Sequence, residues 1–168
     1  MVSKEELRET VRDLFDLMYP GWTDEDLLYR PRDLRHFTRV VGAKIGQNPN
    51  SYTVSAALSN ARKDGGNAFG KRRKSSPEIL KLEIQASQVE ITVDEFKKVV
   101  VDVFLRDNHP SKAEDLLHRC DAAEEFCQNV RDFLGHVDNV QIPDTMILRA
   151  LNNLRKDGRF RPGSQNGL

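Results

Sequence analysis

The chain has 168 residues, 38% of them hydrophobic and 31% charged, and its 26 basic and 26 acidic side chains leave no formal net charge. That length suits one domain or two small ones, with the composition of an ordinary, rather polar globular protein. Neutrality argues against a dedicated duplex-DNA binder, which carries a larger basic excess, and no apolar run reaches the ~18 residues of a membrane-crossing helix.

The spacing predicts a first helix over 4–19. Ser3 is a good N-cap, Glu6 completes a capping box, and Leu7, Val11, Leu14, Phe15 and Met18 recur on one face. The opening Met-Val-Ser-Lys-Glu-Glu reads as a helix start rather than a signal peptide. Pro20-Gly21 stops the helix, and a short one follows from Thr23 or Asp24 to Tyr29, anchored by Leu27 and Leu28. Pro31 opens a third helix over 31–45, in a first turn where its missing N–H costs nothing. Leu34, Phe37, Val41 and Ile45 line its inner face, and Gly46 is its C-cap. A fourth helix begins near Ser51, buries Val54, Ala57, Leu58 and Ala61, and ends in Arg62-Lys63-Asp64-Gly65.

Residues 65–76 read as a flexible loop carrying Lys71-Arg72-Arg73-Lys74, and Ser76-Pro77-Glu78 opens a linking helix over 77–88 with Leu80 and Ile84 on one face. Then the pattern returns. Thr92 and Glu95 form a capping box ahead of Phe96, Val99, Val100, Val103 and Phe104, and Asn108-His109-Pro110 ends that helix. Val99-Val100-Val101 alone has the character of a strand, but the matching stretch of the first unit is plainly helical. Ser111 with Glu114 opens a short helix to His118, anchored by Leu116 and Leu117. The next runs over 120–134 with Ala123, Phe126, Val130, Phe133 and Leu134 inside and Gly135 as its stop. The last begins at Pro143-Asp144, buries Ile147, Ala150, Leu151 and Leu154, and ends in Arg155-Lys156-Asp157-Gly158.

An offset of 89 residues pairs 4–46 with 93–135, and an offset of 93 pairs 51–65 with 144–158, giving 19 identities in 58 pairs. The order never changes. Such self-similarity predicts an all-α fold of tandem duplicated four-helix units, packed as a pseudo-two-fold helical bundle because some 60 residues make a marginal core alone. The expected organisation is a first unit at 1–65, a basic loop and linking helix at 66–91, a second unit at 92–160 and a flexible tail at 161–168. The first unit is balanced in charge, whereas 92–158 holds nine basic and thirteen acidic residues.

Reactive constellations are not expected. The chain has no glycine-rich phosphate loop, His-x-x-x-His, Cys-x-x-Cys or nucleophile elbow. Cys120 and Cys127 lie seven residues apart in one helix, roughly 10 Å along its axis and too far to bond; they read as buried thiols of a reducing, cytoplasmic setting. His118 beside Cys120 is the nearest approach to a metal pair, short of the four converging ligands of a zinc site. Neither a metal, a cofactor nor a small-molecule substrate is implied. Asp13 and Asp102 match between the units, as do Arg30 and Arg119, which predicts a partly buried Asp–Arg pair in each. Arg62, Lys63, Arg155 and Lys156 make two equivalent basic helix ends, which with Lys71, Arg72, Arg73 and Lys74 are the candidate contacts for a partner or for phosphates. Tyr19 and Trp22 give the first unit an aromatic corner that the second lacks. The expected function is a non-catalytic adaptor that holds a protein partner or its own copy. The alternative is a nucleic-acid-associated protein that touches backbone phosphates.

Overall fold

The computed structural model describes residues 1–65, 77–107 and 112–160; the basic loop residues 71–74, the stop at 108–110, Ser111 of the expected capping box and the tail at 161–168 lie outside them. The described residues form nine α-helices and no strand. They fall into two compact units, Met1–Arg73 with His118–Cys120, and Lys74–Leu117 with Asp121–Leu168.

The first unit holds α1 (Lys4–Met18), α2 (Asp24–Leu28), α3 (Pro31–Ile45) and α4 (Ser51–Gly65). Local chemistry sets their ends. Ser3 with Glu6 and Thr23 with Asp26 form reciprocal capping boxes, Pro31 occupies the first turn of α3, and Gly46 closes it at φ 66°. Val11, Phe15, Leu27, Leu34, Phe37, Val41, Val54 and Leu58 make the core. Phe15 and Phe37 meet edge to face at 6.0 Å, a geometry worth about 0.5–1.5 kcal/mol beyond the area it buries. Gly42, in the last turn of α3, lies against the chain returning to α4. A Cβ there would sit 2.8 Å from the Gln47 carbonyl oxygen and 3.2 Å from Pro49 Cδ.

The second unit holds α5 (Pro77–Ser87), α6 (Val93–Arg106), α7 (Ala113–Leu117), α8 (Cys120–Phe133) and α9 (Asp144–Lys156). The strand-like Val99-Val100-Val101 is helical, with Phe96, Val100, Val103 and Phe104 buried. Phe104 meets Phe126 edge to face at 6.2 Å and lies tilted against Phe160 at 4.8 Å. Helix α5 contributes buried Leu80 and Ile84, the pair expected on one of its faces, and its Glu83 ion-pairs with Arg149 of α9. Phe133 departs from the sequence expectation: its side chain is not inside but 52% exposed. The inner stripe of α8 runs through Ala123, Phe126, Cys127, Val130 and Arg131, so the last turn buries residue 131 and turns 133 outward. Arg131 Nη1 donates to the Ile142 carbonyl at 3.1 Å and to Asp144 Oδ1 at 2.7 Å, tying the chain between α8 and α9 to both helices.

Candidate interaction surfaces and the polar ties behind them

The basic helix ends hold two half-buried arginines and two exposed lysines. Arg62 Nε lies 3.1 Å from Asp24 Oδ2 as an ion pair without hydrogen-bond geometry, and that oxygen accepts from Ser59 Oγ at 3.2 Å. Asp24 is 2% exposed and its Oδ1 has no hydrogen-bond partner, so the guanidinium offsets the charge of a desolvated carboxylate. Arg155 Nη1 lies 3.6 Å from Glu114 Oε2, and its Nε donates to Asn152 Oδ1 at 3.0 Å. Each arginine thus ties the last turn of a long helix to the acidic first turn of a short one, α2 or α7. Of the four residues expected at these ends, Lys63 and Lys156 are the two exposed to solvent.

The expected Asp–Arg pairs are not the arrangement found. Asp13 accepts from Arg12, its chain neighbour, and its side chain is 70% exposed. Two residues past buried Val11 and two short of buried Phe15, it points away from the core. Arg30 instead donates to the Asp26 carbonyl at 2.7 Å and lies 4.5 Å over the Trp22 ring. In the matching segment, Asp102 is exposed on α6, while Arg119 lies 5.8 Å over the Tyr52 ring.

Tyr19 stands between Phe15, Phe37 and Trp22, 4.9 Å from the indole, and its hydroxyl donates to the Asp33 carbonyl at 3.4 Å. Burial, followed by the charge of Asp33, raises the affinity of that phenol for its proton. The aromatic corner therefore closes the lower end of α1.

A cluster that no motif or spacing announces surrounds His118. Ser55 Oγ donates to the Ser51 carbonyl at 2.6 Å and lies 2.7 Å from His118 Nδ1. Ser51 Oγ donates to the His118 carbonyl at 2.9 Å and accepts from the Cys120 N–H at 3.3 Å. Two serines one helical turn apart thus hold the segment His118–Cys120 by backbone and ring together. Among the described residues no group of three or more His, Cys, Asp or Glu could hold a metal ion. Both cysteines are buried and neither forms a disulfide. Burial pushes the Cys127 thiol well above its usual range, and the nearby Asp144 carboxylate adds to the shift.

Two helix faces carry opposite charge. On α3, Arg32, His36, Arg39 and Lys44 are exposed; on α8, Asp121, Glu125, Gln128, Asp132 and Phe133 are. The offset of 89 sets Arg32 against Asp121, His36 against Glu125 and Lys44 against Phe133. Arg106 lies 5.8 Å over the Phe133 ring, and Leu105, its neighbour on α6, is 49% exposed. Comparing outward positions between the two sequence copies, rather than inward ones, was the available signal for these faces.

No protein-family model, curated protein or solved structure gives a significant match to this chain. Among the described residues, no helix is long and apolar enough to cross a membrane.

Proposed function

We propose that the chain is a non-catalytic helical interaction module, a duplicated four-helix unit arranged as a pseudo-two-fold pair, that holds a protein partner or a second copy of itself. The duplication reading is supported by the edge-to-face pairs Phe15–Phe37 and Phe104–Phe126 at sequence-matched places. It is supported further by Arg62 and Arg155, which turn to the same kind of acidic helix start. The observation that carries the recognition reading is a pair of exposed apolar side chains near the ends of α6 and α8. Phe133, 52% exposed, lies under the Arg106 guanidinium, and Leu105, the residue before Arg106, is 49% exposed, where the first unit has Lys44 and Asp16. Single exposed apolar side chains are ordinary, whereas two at places that are charged in the companion unit suit a contact surface. Phe133→Lys with Leu105→Asp restores the first unit's residues at both places. The paired variant should keep its unfolding midpoint and lose crosslinks that map to the ends of α6 and α8, in source extract or in concentrated pure protein. A particle that is monomeric at every concentration and gains no crosslink at this patch in extract refutes the reading.

The nucleic-acid reading is favoured by one observation, the exposure of Lys63 and Lys156 at matched helix ends. It predicts oligonucleotide retention that falls steeply with salt and is mostly lost on charge reversal at 71–74.

A further inference from the structure

We propose that the basic face of α3 in one copy of this chain docks on the acidic face of α8 in another, so that copies associate head to tail. The inference rests on the interaction reading above and names its partner as a second copy of the chain. Arg32, His36 and Arg39 stand at spacings of four and three on α3, one stripe of the helix surface, and all are exposed. On α8, Asp121, Glu125 and Asp132 form the corresponding stripe, also exposed. One protein thus presents two surfaces of like shape and opposite sign. A helix face that is basic suits an acidic one and repels itself, so the contact is heterologous rather than a two-fold between identical patches. Asp132 is already oriented: Gln128 Nε2 donates to its Oδ1 at 2.9 Å, and His136 Nδ1 lies 3.4 Å from the same oxygen. Phe133, at the end of the acidic stripe, supplies the apolar contact that charges alone do not. A heterologous contact leaves one face of each kind open at the ends, so it closes as a ring or grows.

The test uses the full chain in sedimentation runs over a concentration series. At low salt the mean particle mass should rise with concentration, and at about 0.5 M salt it should return towards the monomer, because exposed charges are screened over a few ångströms. One variant joins Arg32→Glu with Arg39→Glu, and the other joins Glu125→Lys with Asp132→Lys. All four positions are exposed, and the changes in the first turn of α3 and the last turn of α8 suit the helix dipole, so both variants should fold. Each alone should associate on the order of a hundredfold more weakly than the parent chain. Mixed in equal amounts, each retains the face the other lost, and the two reversed faces are again of opposite sign, so association should return and the mean particle mass should again rise with concentration. The proposal is overturned by a parent chain of constant mass at low salt, by variants that associate as the parent does, or by a mixture that stays monomeric. It is equally overturned if Arg32→Glu with Arg39→Glu removes binding of a short oligonucleotide and leaves particle mass unaltered, which assigns the α3 face to nucleic acid. Crosslinks at Phe133 in extract that persist in both variants sink this proposal while leaving the interaction reading standing.

Discussion

Replacing Arg131 with methionine tests the tie that closes the second unit. The arginine side chain is 7% exposed, and its Nη1 serves both the Ile142 carbonyl and the Asp144 carboxylate. Methionine keeps much of the aliphatic stem and none of the donors. The charge-assisted bond contributes about 1.5–3 kcal/mol and the bond to the neutral carbonyl about 0.5–1.5 kcal/mol. Asp144 retains 24% exposure, so water recovers part of the loss, and Arg131→Met should cost about 2–4 kcal/mol. Asp144→Asn leaves the opposite problem, a guanidinium with little access to water and no countercharge, and breaking a buried pair from one side costs about 3–5 kcal/mol. The carboxylate also sits in the first turn of α9, where a negative charge is favoured. Asp144→Asn should therefore be the more damaging change, and the double variant should lose less than the two losses added. Urea unfolding followed by far-UV circular dichroism, with separate transitions fitted if the units melt apart, measures all three. Single variants within about 0.5 kcal/mol of the parent chain, the range of ordinary surface changes, or strictly additive losses, refute the assignment of Arg131 as the buried half of a coupled pair.

Gly42→Ala should destabilise the first unit by roughly 1–3 kcal/mol, because its Cβ meets the Gln47 backbone oxygen rather than a side chain that can turn aside; an unchanged unfolding midpoint contradicts that. Cys120 and Cys127 are 5% and 0% exposed, so neither should react quickly with a thiol reagent in the native chain, and both should in denaturant. One rapidly titrating thiol in the native state speaks against the burial described. The carboxyls of Glu6 and Glu95 are held below their ordinary value of 4.5, chiefly by the Ser3 and Thr92 backbone N–H groups and then by their hydroxyls. The unfolded chain then takes up these protons at higher pH than the folded one. Their contribution is fully present above the ordinary carboxyl value and is lost as pH falls through the lowered one. Paired Glu6→Gln and Glu95→Gln should flatten the acid limb of the stability curve, and coincident limbs for variant and parent chain count against the capping boxes.

Helix bounds were legible because they are set within a few residues. A serine or threonine three places before an acid, a proline in a first turn and a glycine past a last one announce themselves in the chain. Thus these signals predict α3 at its observed bounds, and α1 and α8 to within one residue. Longer-range choices were not legible. Nothing near Asp13 in sequence says that Arg12 will take its carboxylate while Arg30 turns to the Asp26 carbonyl and the Trp22 ring. Arg62 and Arg155 read as exposed cations because the acids they meet, Asp24 and Glu114, are about 40 residues away along the chain and close only in the fold. Phe133 continues an apolar spacing, yet the inward place in that turn belongs to Arg131, two residues earlier.

The contrast between Gly42 and Arg131 shows how that last exchange arises. The offset of 89 sets these two residues against each other, and the four-residue insertion falls just after them. With the short return, the backbone at Gln47 and Pro49 passes so close to α3 that residue 42 has no room for a side chain. With the longer return, Ile142 and Asp144 leave room for a long side chain and present a carbonyl and a carboxylate to it. An apolar residue at 131 would fill the volume and leave the Ile142 carbonyl unbonded by it, whereas arginine fills the volume and supplies donors. Asp132 and Phe133 face outward on α8 as Ala43 and Lys44 do on α3, so the two helices keep the same rotation and differ in what fills the inward place at its end. Arg131→Gly, which removes the anchor without shortening the loop, should therefore loosen the connection between α8 and α9, read as faster amide exchange at the start of α9.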